Sequence, residues 1–133
     1  MHWCDGRNWH GCASYTDATG GRVLVVAGGW DTPNWAFLSS SELLRLGRGD
    51  GDPDRETWQP GPALPRPLDR VVGVTLDNTV FMIGGHDRQE EYGDIYELGP
   101  SIGWVVAGSL LMPRQGHAVS AVRLTEEILQ HCT

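Results

Sequence analysis

Two glycine pairs, each directly behind an apolar run, are the first places in this sequence where chemistry could occur. Val23 to Asp31 is VLVVAGGWD, and Val80 to Asp87 is VFMIGGHD. A strand that ends in glycines can open a phosphate-binding loop, but such a loop continues as G-x-G-x-x-G before a helix or as Gly-Lys-Ser/Thr. The sequence has neither continuation and no lysine, and an aspartate stands two residues after each pair. We therefore interpret both pairs as tight turns.

Histidine, cysteine and aspartate, which are common metal ligands, gather in two stretches of the sequence. The N-terminal stretch HWCDGRNWHGC contains His2, Cys4, His10 and Cys12. The Cys-x₂₋₄-Cys spacing typical of zinc sites is absent from it, and His10 is interpreted as a strand-entry residue. The stretch GDGDPDRE, Gly49 to Glu56, alternates aspartates but lacks the glycine and glutamate that an EF-hand requires. We expect no metal and no cofactor.

Catalysis by a nucleophile is not indicated, since the sequence has no G-x-S-x-G elbow and no Cys/His pair with family spacing. The acidic pair Glu90-Glu91 is interpreted as solvated charge. An RGD tripeptide, Arg48 to Asp50, would matter on a secreted protein. The N-terminus has neither a basic nor an apolar region, so no signal peptide is expected. The sequence predicts a protein that is not an enzyme.

The amino-acid composition narrows the fold class and the kinds of partner. Of the 133 residues 40% are hydrophobic and 20% charged, and the 18 glycines and 8 prolines separate short apolar runs, which favours an all-β fold. The net charge of -7 and the scattering of the ten basic residues, all arginine, argue against nucleic acid as a partner. No apolar run approaches the roughly 20 residues that span a bilayer. The three cysteines, an odd number, favour a reducing compartment, and a cytoplasmic location is expected.

The glycine pairs belong to a longer repeat of about fifty residues, whose strands must position any site. Each copy is a strand, a strand ending in Gly-Gly, a strand with an acidic start, and a strand carrying tryptophan. Besides the glycine blocks, the matched segments are ELLRLG (Glu42 to Gly47) with DIYELG (Asp94 to Gly99), TWQPGPALPR (Thr57 to Arg66) with GWVVAGSLLMPR (Gly103 to Arg114), and DRVVGVTL (Asp69 to Leu76) with HAVSAVRL (His117 to Leu124).

This pattern resembles the kelch repeat, in which each copy is one four-stranded blade of a β-propeller. The residues that carry the resemblance are Gly28, Gly29, Gly84, Gly85, Trp58, Trp104 and the LPR and MPR steps that end at Arg66 and Arg114. Kelch copies usually have a tyrosine in the third strand; Tyr96 supplies it in the second copy, whereas Leu44 replaces it in the first.

The resemblance implies two four-stranded antiparallel blades, at 7–68 and 69–116, followed at 117–133 by the first strand of a further blade and a C-terminal tail. Two blades and a partial third make an incomplete propeller, because closed propellers typically have four to eight blades. We therefore expect further blades, supplied in cis or by self-association.

Kelch-like propellers bind peptides or proteins through loops between their second and third strands and between successive blades. The resemblance therefore implies a partner-binding surface made by Asn34, Trp35, Arg66, His86, Arg88, Tyr92 and Arg114. Arg66 and Arg114 recur at one repeat position, so a structural role for them is an equal alternative. The copies differ directly after the glycine pairs, at Trp30 and His86, where we expect specificity.

The expected function is a non-enzymatic protein-protein interaction module. By analogy with the family, it would be a substrate-recognition part of a ubiquitin ligase adaptor. The alternative is a kelch-scaffold enzyme resembling copper oxidases of the galactose-oxidase kind, although no arrangement of the three tyrosines, Tyr15, Tyr92 and Tyr96, can be tied to copper.

Overall fold

The computed structural model describes residues 6–46 and 57–122 of the chain. These residues form eleven β-strands and no helix. The strands are β1 (Arg7–Asn8), β2 (Gly11–Thr16), β3 (Arg22–Ala27), β4 (Trp30–Asp31), β5 (Ala36–Phe37), β6 (Ser41–Leu46), β7 (Trp58–Pro60), β8 (Val72–Leu76), β9 (Thr79–Ile83), β10 (Asp94–Gly99) and β11 (Gly103–Ser109). All pairings between strands are antiparallel, so the all-β antiparallel prediction is confirmed.

Some sequence features lie outside the described residues. They are His2, Cys4 and Cys132, the RGD tripeptide, and the acidic stretch from Gly49 to Glu56.

Two four-stranded sheets account for most of the chain. The first sheet has the order β2-β3-β6-β7, and the second has the order β8-β9-β10-β11. In both, the second strand ends immediately before a glycine pair, and the fourth strand carries the repeated tryptophan, Trp58 or Trp104. Each sheet is a meander of neighbouring strands in the order that the repeat predicted.

A third, smaller sheet was not anticipated from the sequence. It has the order β1-β4-β5, in which Asn8 pairs with Trp30 and Trp30 pairs with Phe37. Strands of two residues carry no periodic signal, so the hydrophobic pattern could not indicate them.

The hydrophobic core lies between the two four-stranded sheets. Its fully buried members include Val25 of β3, Met82 of β9 and Tyr96 of β10. Leu64 and Leu68, from the segment joining the two sheets, close the core at one end. The near-continuous burial of β3 explains why its sequence is an apolar run and not an alternating one.

Backbone hydrogen bonds reveal how the copies correspond. Gly28 donates to the Ser40 carbonyl at 3.0 Å, and Gly84 donates to the Asp94 carbonyl at the same distance. Asp94 therefore corresponds to Ser40, whereas the sequence alignment matched it with Glu42. The reason for the two-residue error is that the alignment followed side-chain charge, while the backbone register follows the glycine pair.

Residues 117–122 form no strand in the structure. The chain enters this segment in the way it enters the second sheet, because Gly116 donates to the Arg70 carbonyl at 3.1 Å just as Arg70 donates to the Trp9 carbonyl at 2.7 Å. The first strand of a further blade stays a prediction. The described residues also contain no helix long and apolar enough to cross a membrane.

Candidate functional site

The glycine pairs make the turns that lead into the loops of both sheets. Their φ angles are positive, 68° and 106° at Gly28 and Gly29, and 68° and 98° at Gly84 and Gly85, a region that side chains disfavour. A Cβ on Gly28 would lie 2.5 Å from the Leu68 carbonyl oxygen. All four N–H groups donate to backbone carbonyls of this chain, so none points outward to receive a phosphate.

The loop of the first sheet is a short hairpin made by β4 and β5. The Asp31 carboxylate closes its turn by accepting hydrogen bonds from the Asn34 backbone N–H at 3.3 Å and from the Asn34 side chain at 2.6 Å. Trp35 follows with a φ of 52° and is 72% exposed. Asn34 is thus engaged within the turn, while Trp35 projects from it.

The loop of the second sheet repeats this plan in reduced form. His86 forms isolated bridges with Asp69 and Glu91, where the first sheet has β1-β4-β5. The Asp87 carboxylate accepts from the backbone N–H groups of Gln89 at 2.7 Å and Glu90 at 3.1 Å. The aspartate that follows each glycine pair therefore closes the turn behind it.

Aromatic rings from both loops meet in one cluster, which we call the aromatic cluster: Trp30, Trp35, Phe37 and His86. The Phe37 ring centroid lies 4.9 Å from that of Trp30 and 5.6 Å from that of His86, and Trp30 lies 6.1 Å from Trp35. All three contacts are edge-to-face, an arrangement that aromatic pairs favour. The cluster places the two expected specificity residues, Trp30 and His86, on either side of Phe37.

Arg88 joins the second loop to the aromatic cluster. Its Nη2 donates to the Trp35 carbonyl at 2.9 Å, and its guanidinium carbon lies 6.0 Å from the Phe37 ring centroid. A groove of about 240 Å³ opens beside it, lined by Phe37, Pro67, Asp87, Arg88 and Gln89. The groove and the aromatic cluster together are called the loop surface below.

Arg66 lies next to the loop surface but is held by its neighbours. Its guanidinium stacks on the Tyr92 ring at 4.0 Å and lies 3.7 Å from the Asp94 carboxylate. The Tyr92 hydroxyl in turn donates to Asp87 at 2.7 Å. This set of contacts fixes the second loop onto β10, so the geometry at Arg66 agrees with the structural alternative for this arginine.

The pKa values of this set shift as its hydrogen bonds require. The backbone N–H of Gln89 and the Tyr92 hydroxyl lower the pKa of Asp87, because they stabilise its ionised form. Asp87 raises the pKa of Tyr92, because its carboxylate accepts a hydrogen bond that only the protonated hydroxyl can donate. Burial, and then the hydrogen bond to Asp94, raises the pKa of Tyr96 to about 12. Both tyrosines are hydrogen-bond donors at neutral pH.

Arg114 is separated from these contacts. Its backbone N–H donates to the Tyr92 carbonyl at 3.3 Å, and its carbonyl accepts from Gly85, but its side chain is exposed. Five of the seven expected binding residues, Asn34, Trp35, His86, Arg88 and Tyr92, come from the loops after the glycine pairs. The structure places Arg66 beside them and leaves Arg114 at the rim.

Several residues of the site were not found from sequence. Phe37 is the centre of the aromatic cluster, yet it lies on a two-residue strand with no repeat partner of its own type. Trp9 is a further omission: it is 54% exposed, and the Arg70 guanidinium lies 4.7 Å from its ring.

Asp69 and His86 make a contact that the sequence could not indicate. The Asp69 carboxylate is almost fully buried, and one oxygen lies 2.9 Å from the His86 Nε2. Burial raises the pKa of Asp69. The His86 Nδ1 is 2.8 Å from the Asp87 carbonyl, so both ring nitrogens face groups of this chain. His86 is accordingly a positioned part of the aromatic cluster.

No group of three or more histidine, cysteine, aspartate or glutamate side chains within residues 6–46 and 57–122 could hold a metal ion. Comparison with known proteins finds no family model that matches this chain and no curated protein that is significantly similar to it. The resemblance to kelch repeats rests on the motifs of this sequence alone.

Proposed function

We propose that this chain is a non-enzymatic protein-interaction module of the kelch type, whose two four-stranded sheets are blades of a β-propeller. The observation that carries the proposal is the loop surface, because it exposes a tryptophan, further aromatic rings and an arginine at one end of the two sheets. Tryptophan, tyrosine and arginine dominate the energetics of protein interfaces. Loops on a rigid β scaffold are also where binding residues concentrate.

The partner we propose is a peptide or protein that seats an apolar side chain in the groove beside Phe37. Trp35 and Arg88 flank the groove, and the hydrogen bond from Arg88 to the Trp35 carbonyl fixes their relative position. A pre-positioned pair loses little conformational freedom on binding. By family analogy, the partner would be a substrate that the module presents to a ubiquitin ligase, and the module would act in the cytoplasm.

The copper-oxidase alternative has no observation in its favour. The hydroxyls of Tyr92 and Tyr96 are committed to Asp87 and Asp94. Metal analysis of the purified chain addresses the alternative directly, since a stoichiometric metal would revive it.

The proposal is tested with peptides selected against the wild-type chain from a displayed random library. We expect Trp35→Ala and Arg88→Ala each to weaken the binding of a selected peptide by at least tenfold, measured by fluorescence anisotropy, because truncating an interface hot spot costs 2 kcal/mol or more, on the order of a thirtyfold change. Ile102→Ala is the matched control: it also removes an exposed apolar side chain, but from the β10–β11 turn.

The stability of each variant is measured alongside, by thermal unfolding. Peptides that bind all three variants as well as wild type would overturn the assignment of the loop surface. Failure to select any peptide that competes at this surface would overturn the function itself.

A further inference from the structure

Each four-stranded sheet has two sides, and strand register assigns every side chain to one of them. Residues directly opposite in an antiparallel pair point to the same side. In the first sheet, Val25 lies opposite Ala13 and Leu43, and these three define side A. Leu24 lies opposite Ser14 and Leu44 and belongs to the other side, side B.

The second sheet has the same two sides. Phe81 lies opposite Val74 and Glu97, and it follows Val25 by the same interval that separates the glycine pairs, so these residues form side A. Met82 lies opposite Gly73 and Tyr96 on side B. The two sheets can therefore be compared side by side.

The core of the chain is a contact between unlike sides. Its members from the first sheet lie on side A and are Ala13, Tyr15, Val25, Ala27 and Leu43. Its members from the second sheet lie on side B and are Val80, Met82, Tyr96, Leu98 and Trp104. Side A of one sheet packs on side B of the next, so the contact runs head to tail.

Two apolar sides of the same kinds are left over. On side B of the first sheet, the side chains of Leu24, Leu44, Leu46 and Trp58 are all partly exposed in the described part of the chain. On side A of the second sheet, the partly exposed side chains are those of Val72, Val74, Phe81, Ile95 and Val105. These are the counterparts of the two surfaces that already fit each other within the chain.

Charge also favours a contact between the two open sides. On side A, Glu97 of the second sheet lies at the position that Leu43 occupies in the first sheet. On side B, Arg22 of the first sheet lies at the position that Asn78 occupies in the second sheet. Leu43 and Asn78 line one cavity of about 640 Å³ between the sheets. When the open sides of two copies pack as the covered sides do, Glu97 of one copy and Arg22 of the other line the equivalent cavity, and their charges are opposite.

We propose that a second copy of this chain docks head to tail, with side B of its first sheet covering side A of the second sheet of the first copy. The docked pair then keeps one open side of each kind, side B on one copy and side A on the other, so the contact repeats until a ring closes or a fibre grows. The proposal is independent of partner binding at the loop surface.

The test is the molar mass of the full chain, measured by sedimentation equilibrium over a hundredfold range of concentration. We expect masses that rise with concentration to multiples of the protomer. Phe81→Lys blocks side A and Leu24→Lys blocks side B, and we expect each variant alone to lose self-association. Mixed in equal amounts they should form a one-to-one dimer and nothing larger, because each supplies the open side that the other lacks.

Ile102→Lys is the matched control, since it places the same charge on an exposed apolar residue outside both sides, and it should associate as wild type does. Far-UV circular dichroism confirms that each variant is folded, and Val74→Lys or Leu44→Lys replaces one that is not. A wild-type chain that is monomeric throughout overturns the proposal. So does continued association of either blocked variant alone, or a mixture that stays monomeric.

Discussion

Arg7 and Arg66 reach corresponding places in the two sheets from backbone positions that do not match, because the Asn8–Trp30 and Asp69–His86 pairings align Arg7 with Leu68. Their surroundings also differ. Arg7 is buried, and it donates to the carbonyls of Gly28 and Ser40, both at 3.0 Å, and pairs with Glu42. Arg66 has a side chain that is 40% exposed, and it contacts Tyr92 and Asp94.

Their partners match in position, because Asp94 corresponds to Ser40 and Tyr96 to Glu42 once the glycine pairs are superposed. The first sheet therefore uses its arginine to satisfy buried polar groups. The second sheet uses it to hold a loop. The comparison shows that the same backbone arrangement contributes to stability in the first sheet and positions a surface loop in the second sheet.

The repeated tryptophans differ in the same sense. Trp104 is 7% exposed, belongs to the core and donates its indole N–H to the Pro62 carbonyl at 2.9 Å. Trp58 is only half-buried, because its side of the first sheet is open. A shared residue type therefore does not imply a shared contribution to stability.

The largest expected effect is the loss of stability when each repeated tryptophan is replaced by alanine. Trp104→Ala should lower the free energy of unfolding by about 4 kcal/mol, the usual cost of removing a large core aromatic. Trp58→Ala should cost about 1–2 kcal/mol, since less surface leaves water in the folded state. Urea unfolding followed by circular dichroism measures both, and equal losses would contradict the asymmetry.

The arginines come next in size. Arg7→Ala should cost about 3 kcal/mol, because it leaves Glu42 and the Gly28 carbonyl without their partner in a buried setting. Arg66→Ala should cost about 1 kcal/mol or less, as expected for a solvent-screened pair. The same unfolding experiment compares them, with Arg22→Ala as an exposed arginine control. A larger loss for Arg66→Ala than for Arg7→Ala would reverse the comparison.

A smaller effect is expected at alkaline pH. The pKa of Tyr96 is raised to about 12 in the folded chain, against about 10 in the unfolded chain. The stability that this difference supplies is present below pH 10 and is lost as the pH rises towards 12. Tyr96→Phe should flatten this part of the pH profile of unfolding, because it removes the titrating hydroxyl. An unaltered profile in Tyr96→Phe would refute the assignment.

Much of the fold followed from the sequence, and the reasons are local. The glycine pairs and the apolar runs before them predicted where β3 and β9 end, because only glycine readily takes the positive φ that the turns require. The matched segments of the repeat predicted the order of the strands within each four-stranded sheet. The small sheet escaped prediction, since its pairs form between segments too short to carry a pattern.

The candidate site was predicted only in part. Trp35, His86 and Arg88 were recognised because the resemblance to kelch repeats implies binding loops after the glycine pairs. Phe37 and the contact between Asp69 and His86 were not, because they depend on how the second loop lies against the first. Arg66 and Arg114 had the same signal in sequence, but the backbone hydrogen bonds of Arg114 to Gly85 and Tyr92 match those of Leu68 to Gly29 and Leu38, so the two arginines do not share one position.

The sequence by itself determined the all-β class, the order of strands within each sheet and the turns at Gly28-Gly29 and Gly84-Gly85. These properties follow from residue type and spacing along the chain. The tertiary structure decided which side of each sheet is covered, which arginine is buried and which rings meet at Phe37. Those outcomes depend on side chains far apart in the chain competing for one interior, and no local pattern encodes that competition.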